Sequence, residues 1–85
     1  MFCPTYYDVD FQTITQSQTI ESGCNSILFM NQGSATVTIK GAVLQQGQQL
    51  QIPGNFGEID TSNYLATFAE TGTKQLLVIR KMYRQ

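Results

Sequence analysis

Apolar and polar residues alternate with a period of two along most of this chain. Between 34 and 40, Ala35, Val37 and Ile39 fall on one face and Thr36, Thr38 and Lys40 on the other. Leu50 and Ile52 share a face within 48–52, as do Tyr64, Ala66 and Phe68 within 63–69. Residues 11–15 and 18–21 set Phe11, Ile14 and Ile20 among glutamines and threonines. Such patterns predict strands with one buried face. No window sustains apolar residues at i, i+3, i+4 and i+7, so helices are not expected.

Turn residues punctuate these runs. The segment 21–25, with Gly23 and Asn25, separates two strands. Residues 31–34 predict a hairpin loop between strands at 26–31 and 34–40, with Gly33 taking a positive φ. Lys40-Gly41 ends a strand, 45–48 make a tight turn and 53–57 a loop. Residues 70–74 predict a hairpin between the last two strands. Turn signals recur roughly every ten residues, the interval of a sandwich or barrel. The expected fold is one all-β domain over residues 1–85, a small antiparallel β-sandwich or jelly-roll-like unit of about seven or eight short strands.

Two runs break the alternation. From Ile27 to Met30, Ile27 and Phe29 point one way and Leu28 and Met30 the other; Leu76 to Ile79 is apolar on both faces in the same manner. A strand that is apolar on both faces must be covered on both. A two-layer fold of this size has one core and buries only somewhat over 60% of its unfolded surface. The second face is therefore covered by another molecule, as contiguous apolar patches on small domains usually are, or within the chain by Phe2, Tyr6 and Tyr7 folding back. The expected contact residues are Phe2, Tyr6, Tyr7, Phe56, Met82 and Tyr83, with Leu28 and Met30 on the second strand face.

Composition narrows the chemistry. The chain has 85 residues, no histidine, no tryptophan, two cysteines and a net charge of -1. Without histidine there is no Ser-His-Asp or Cys-His machinery and no imidazole-bound metal. Two cysteines cannot build a four-thiolate zinc site or an iron–sulfur cluster. A charge near zero supplies no field to hold nucleic acid or an anionic membrane. Neither partner is expected, nor any cofactor. Thirty of the 85 residues are Gln, Thr, Ser or Asn, and Gln45, Gln46, Gln48, Gln49 and Gln51 crowd one stretch. Amide and hydroxyl surfaces pack against many neighbours without accumulating like charge.

Candidate sites are few. Residues 55–63 hold the densest oxygen cluster, which reads as a calcium loop or as a turn in which Asp60 accepts backbone N–H bonds while Ile59 fills the core. Glu58 and Asp60 would share a strand face, but a catalytic carboxylate pair needs a cleft, so no catalytic residue is assigned. Arg80, Lys81 and Arg84 form a small basic end, expected to be solvated or to touch a subunit. The N-terminus, Met1-Phe2-Cys3-Pro4, has neither the positive region nor the apolar stretch of a signal peptide. Synthesis in a cytoplasm follows as the expectation, with Cys3 and Cys24 as free thiols; a disulfide between them stays open.

The stretches Asn31-Gln-Gly-Ser-Ala-Thr-Val-Thr-Ile-Lys-Gly, Leu44-Gln-Gln-Gly-Gln-Gln-Leu-Gln-Ile-Pro-Gly-Asn and Gly57-Glu-Ile-Asp-Thr-Ser-Asn-Tyr resemble small virion proteins of phages infecting Bacteroidetes, including crAss-like phages. The likeness covers roughly residues 26–70. Their glycine-punctuated rhythm is also similar to the jelly-roll core of cupins, whose metal chemistry does not carry over to a chain without histidine. The phage resemblance implies a non-enzymatic virion structural protein. It would be capsid-associated, a decoration protein, or a head-fibre or tail component, made in the host cytoplasm and located on the particle. It would act as a homo-oligomer or by docking on a larger capsid or tail protein. The alternative is a monomeric module binding a sugar or peptide at the Asn55–Asn63 loop.

Overall fold

The computed structural model describes residues 6–54 and 58–84, with side chains from Tyr7 to Met82. Phe2 and Phe56 lie outside the described residues. Eight strands follow one another: β1 (Tyr6–Ile14), β2 (Gln18–Glu21), β3 (Ser26–Asn31), β4 (Val37–Ile39), β5 (Ala42–Leu44), β6 (Gln49–Ile52), β7 (Asn63–Phe68) and β8 (Leu76–Arg84). They form two four-stranded sheets. Sheet A has the order β1-β8-β3-β6 and sheet B the order β2-β7-β4-β5. Every pairing is antiparallel, and the pairs nest: first with eighth, second with seventh, third with sixth, fourth with fifth. The strands β3–β8 and β4–β7 join these pairs into sheets. This is a jelly-roll order in a two-layer sandwich, as the strand pattern predicts.

The core lies between the sheets. From sheet A come Ile14, Ile27, Phe29, Leu76 and Val78; from sheet B come Ile20, Val37, Ile39, Tyr64, Ala66 and Phe68. Leu50 and Ile52 of β6 pack against them while partly exposed. Phe29 meets Tyr64 across the layers at 5.2 Å between centroids, tilted by 58°, within the range that aromatic pairs prefer.

Two predicted hairpins are not hairpins. Residues 31–37 lead from β3 in sheet A to β4 in sheet B, and 69–75 lead from β7 in sheet B to β8 in sheet A. Consecutive apolar stripes face one another across the core, so the chain must cross the interlayer distance, about 10 Å, at these points. The two crossings run side by side: Gln32 N–H and Ala35 N–H donate to the carbonyls of Gln75 and Thr73, each at 3.0 Å. A hairpin forms instead at Lys40-Gly41, where the sequence predicts only a strand end. Ile39 faces Ala42 across Lys40-Gly41, where φ is 49° and 94°, the positive pair that a two-residue primed turn requires. Strand β5 beyond it is three residues long and carries too little alternation to stand out.

Gly33 does not take a positive φ; closeness explains it instead. A Cβ there would stand 2.1 Å from the Thr73 carbonyl oxygen and 2.8 Å from the Gln75 nitrogen. Gly33→Ala is therefore expected to force the two crossings apart and cost about 2 kcal/mol, the scale of overpacking against backbone. Urea unfolding followed by circular dichroism would measure it, and an unchanged midpoint would contradict the close-approach explanation.

Candidate interaction surface

Strand β8 lies inside sheet A, between β1 and β3. Leu76 and Val78 are fully buried toward sheet B, so the alternation of a strand turns Leu77, Ile79 and Lys81 to the outer face. In β3, Ile27 and Phe29 are buried while Leu28 and Met30 remain half-buried; these two face outward beside Ile79 and Leu77, their register partners. In β1 only Ile14 among the described side chains is buried. It pairs with Leu76, which places Asp8, Asp10 and Gln12 on the inner side and Tyr7, Val9, Phe11 and Thr13 on the outer. Tyr7, Val9 and Phe11 are 50%, 43% and 65% exposed. The outer face of sheet A thus joins Tyr7, Val9, Phe11, Leu28, Met30, Leu77 and Ile79 into one apolar surface, bordered by Gln49 and Gln51 of β6.

Sheet B presents a different exterior. Thr19, Glu21, Thr38, Asn63 and Thr67 alternate with its buried residues, and Val43 and Leu65 stand apolar among them. The contiguous apolar surface is therefore the one on sheet A, while Val43 and Leu65 are set among polar side chains on sheet B.

Among the sequence-predicted contact residues, Tyr7, Leu28 and Met30 come together on this face. Met82 is 45% exposed but belongs to the inner side of β8, opposite Asp8. Tyr6 and Tyr83 occupy β1 and β8, with side chains outside the described set. Sequence reasoning missed Val9 and Phe11 as contact residues, and Leu77 and Ile79 with them. Tyr7, Val9 and Phe11 alternate with Asp8 and Asp10, ahead of the strand that the pattern predicts from residue 11.

The basic end is turned inward at Arg80. Its guanidinium Nη1 reaches Asp10 Oδ2 at 3.2 Å and Gln12 Oε1 at 2.9 Å, and its Nε donates to the Glu21 carbonyl at 3.0 Å. The Lys81 ammonium stands 4.3 Å from the Tyr7 ring centroid, a cation–π distance. A polar groove of about 370 Å³ opens between the edge strands β1 and β2, lined by Gln12, Gln18, Thr19, Ile20, Glu21 and Arg80.

The loop toward residue 63 takes the turn reading. Asp60 Oδ1 accepts from Ser62 N–H at 2.8 Å and Asp60 Oδ2 from the Tyr64 hydroxyl at 2.5 Å. Asp60 N–H donates to the Cys24 carbonyl at 2.8 Å, and the Ser22 hydroxyl donates to the Asp60 carbonyl. Asn25 Nδ2 donates to the Glu58 carbonyl. Ile59 does not fill the core: it is 66% exposed, because Asp60, its neighbour, is the residue drawn inward by the Cys24 bridge. Among the described residues no cluster of three or more Cys, Asp or Glu could hold a metal ion. Cys24 is a buried free thiol, its pKa pushed up by burial. Among the described residues no helix is long and apolar enough to cross a membrane.

The Asp60–Tyr64 bond couples stability to pH at both extremes. The Tyr64 hydroxyl, then the Ser62 amide, hold the Asp60 carboxyl below its ordinary range. Its contribution is present above the unfolded value and lost as pH falls below about 4. Burial, then Asp60, push the Tyr64 hydroxyl up to about 12. That contribution is present below the unfolded value near 10 and lost as pH rises toward 12. The stability gap between the natural chain and Tyr64→Phe is expected to narrow at both ends, read as urea midpoints across pH. A gap that stays constant would show that the bond does not titrate with folding.

No protein-family model matches the chain, and comparisons with curated proteins and with solved structures return no match.

Proposed function

We propose that this protein is a non-enzymatic structural component of a phage particle, which acts by covering the apolar outer face of sheet A against a copy of itself or a larger capsid or tail protein. The observation that carries the reading is that contiguous apolar face. An 85-residue chain that leaves Phe11, Val9 and Tyr7 about half exposed or more, beside Leu28, Met30, Leu77 and Ile79, has surface of the kind that marks interaction sites. The phage setting rests on the sequence resemblance. Jelly rolls serve capsids, lectins and cupins alike, so the fold is compatible with this setting without selecting it. The chain should be recovered with purified particles, and genes for a portal, terminase or major capsid protein should flank its own. Recovery only in the soluble fraction of infected cells would remove the virion reading.

The polar groove between β1 and β2 favours a second reading, a module that binds a sugar or peptide. Thermal stabilisation by such a ligand, lost in Gln12→Ala, would support it.

A further inference from the structure

We infer that the occupant of this face is a second copy of the same chain, the two outer faces of sheet A packing on each other across a two-fold axis. The inference rests on the reading of that face as the interaction surface and adds the partner. Charge is the first argument. Among the described outward side chains of β1, β8, β3 and β6, Lys81 is the one charged group, and it sits over the Tyr7 ring at one end. The remainder are apolar, or are Thr13, Ser26, Gln49 and Gln51. Two such faces meet without setting like charges together, and a partner selected by charge finds nothing to select. Edge pairing lacks this property. Strand β1 is one of the two edges of sheet A, β6 being the other, and antiparallel pairing of two β1 strands centred on Val9 would set Asp8 of each copy against Asp10 of the other, which is unfavourable.

Area is the second argument. Strands β1, β8 and β3 present the face over about six residues or more, roughly 20 Å by 15 Å in plan. With side-chain relief and the β6 row, a pair of copies buries on the order of 1,000 Å² in total, the lower limit of specific interfaces. The dimer is accordingly weak and forms at high local concentration. The difference between the two exteriors is the third. The outer face of sheet B is mostly polar, so an isologous contact through sheet A closes at two copies and does not propagate.

Sedimentation and light scattering of the full chain test this between about 10 μM and about 1 mM. The mass is expected to rise from 9.5 kDa toward twice that value. Phe11→Asp and Ile79→Lys should each stay monomeric with an unchanged circular dichroism spectrum, while Leu65→Asp, on the sheet B exterior, should dimerise normally. A natural chain that stays monomeric to the top of this range overturns the inference, as does a dimer indifferent to both outer-face variants. Should either result occur while Phe11→Asp still abolishes recovery with particles, the face remains an interaction surface and only the second copy is excluded. If particle recovery is also unaffected, the reading of the face falls too.

Discussion

Phe29→Ala is expected to lose about 4 kcal/mol of stability, within the 3–5 kcal/mol typical of a buried phenylalanine reduced to alanine. Phe29 is fully buried in β3, the inner strand flanked by β8 and β6, and its ring reaches across the core to Tyr64. Its register partners are Val78 and Leu50, so both flanks are already filled and little can move in to close the gap. Domains of this size have total stabilities on the order of 4–13 kcal/mol, and the variant should be largely unfolded well before the natural chain in a urea series. A midpoint displaced by less than the equivalent of about 1 kcal/mol would mean that the two layers do not depend on this contact.

Asn31→Ala is expected to cost about 3 kcal/mol for a different reason. Asn31 is fully buried at the end of β3. Its Nδ2 donates to the carbonyls of Ala35 and Leu44, each at 2.9 Å, and its Oδ1 accepts from Gly33 N–H at 3.1 Å. The side chain thereby ties the crossing from sheet A to sheet B and the exit of β5 to one point. Truncation leaves two carbonyls and one amide without that partner, at about 1–3 kcal/mol for each group that stays dry. Asn31→Asp should be worse than alanine, because a carboxylate cannot donate to either carbonyl and would be a buried charge. Denaturant midpoints of both variants decide the matter. An aspartate variant more stable than the alanine one would show that water enters and serves these groups.

Much of the fold was legible because period two is a local property. The runs at 26–31, 48–52 and 63–69 name β3, β6 and β7 almost to the residue, and the apolar-on-both-faces reading of 27–30 and 76–79 singled out two of the three strands that carry the apolar outer face. What failed was non-local. Whether a glycine-bearing loop turns back beside its strand or crosses to the other layer depends on Thr73 and Gln75 meeting Gly33, forty residues downstream by number, and alternation cannot report that. The inward turn of Asp60 in place of Ile59 was hidden in the same way, since the isolated bridge to Cys24 decides it. On the outer face of sheet A, Leu28 and Met30 were readable from their own strand. The alternation of Val9 and Phe11 with Asp8 and Asp10 was readable too, but the face they take was not, because it is fixed by pairing with β8, through Ile14 opposite Leu76.

The nested order also sets a timetable for folding. Strands β4 and β5 are two residues apart, whereas Ile14 and Leu76 must find each other across 76 − 14 = 62 positions. Loop closure grows slowly costlier with separation, and topologies rich in distant pairings fold slowly. The sandwich is then expected to zip outward from the short β4–β5 hairpin, with β1 and β8 joining last. Leu77 and Ile79 sit at the middle of the outer face, so that face exists only once the eighth strand has docked between β1 and β3. A surface made this way is the last feature of the sandwich to form, after the core beneath it is closed.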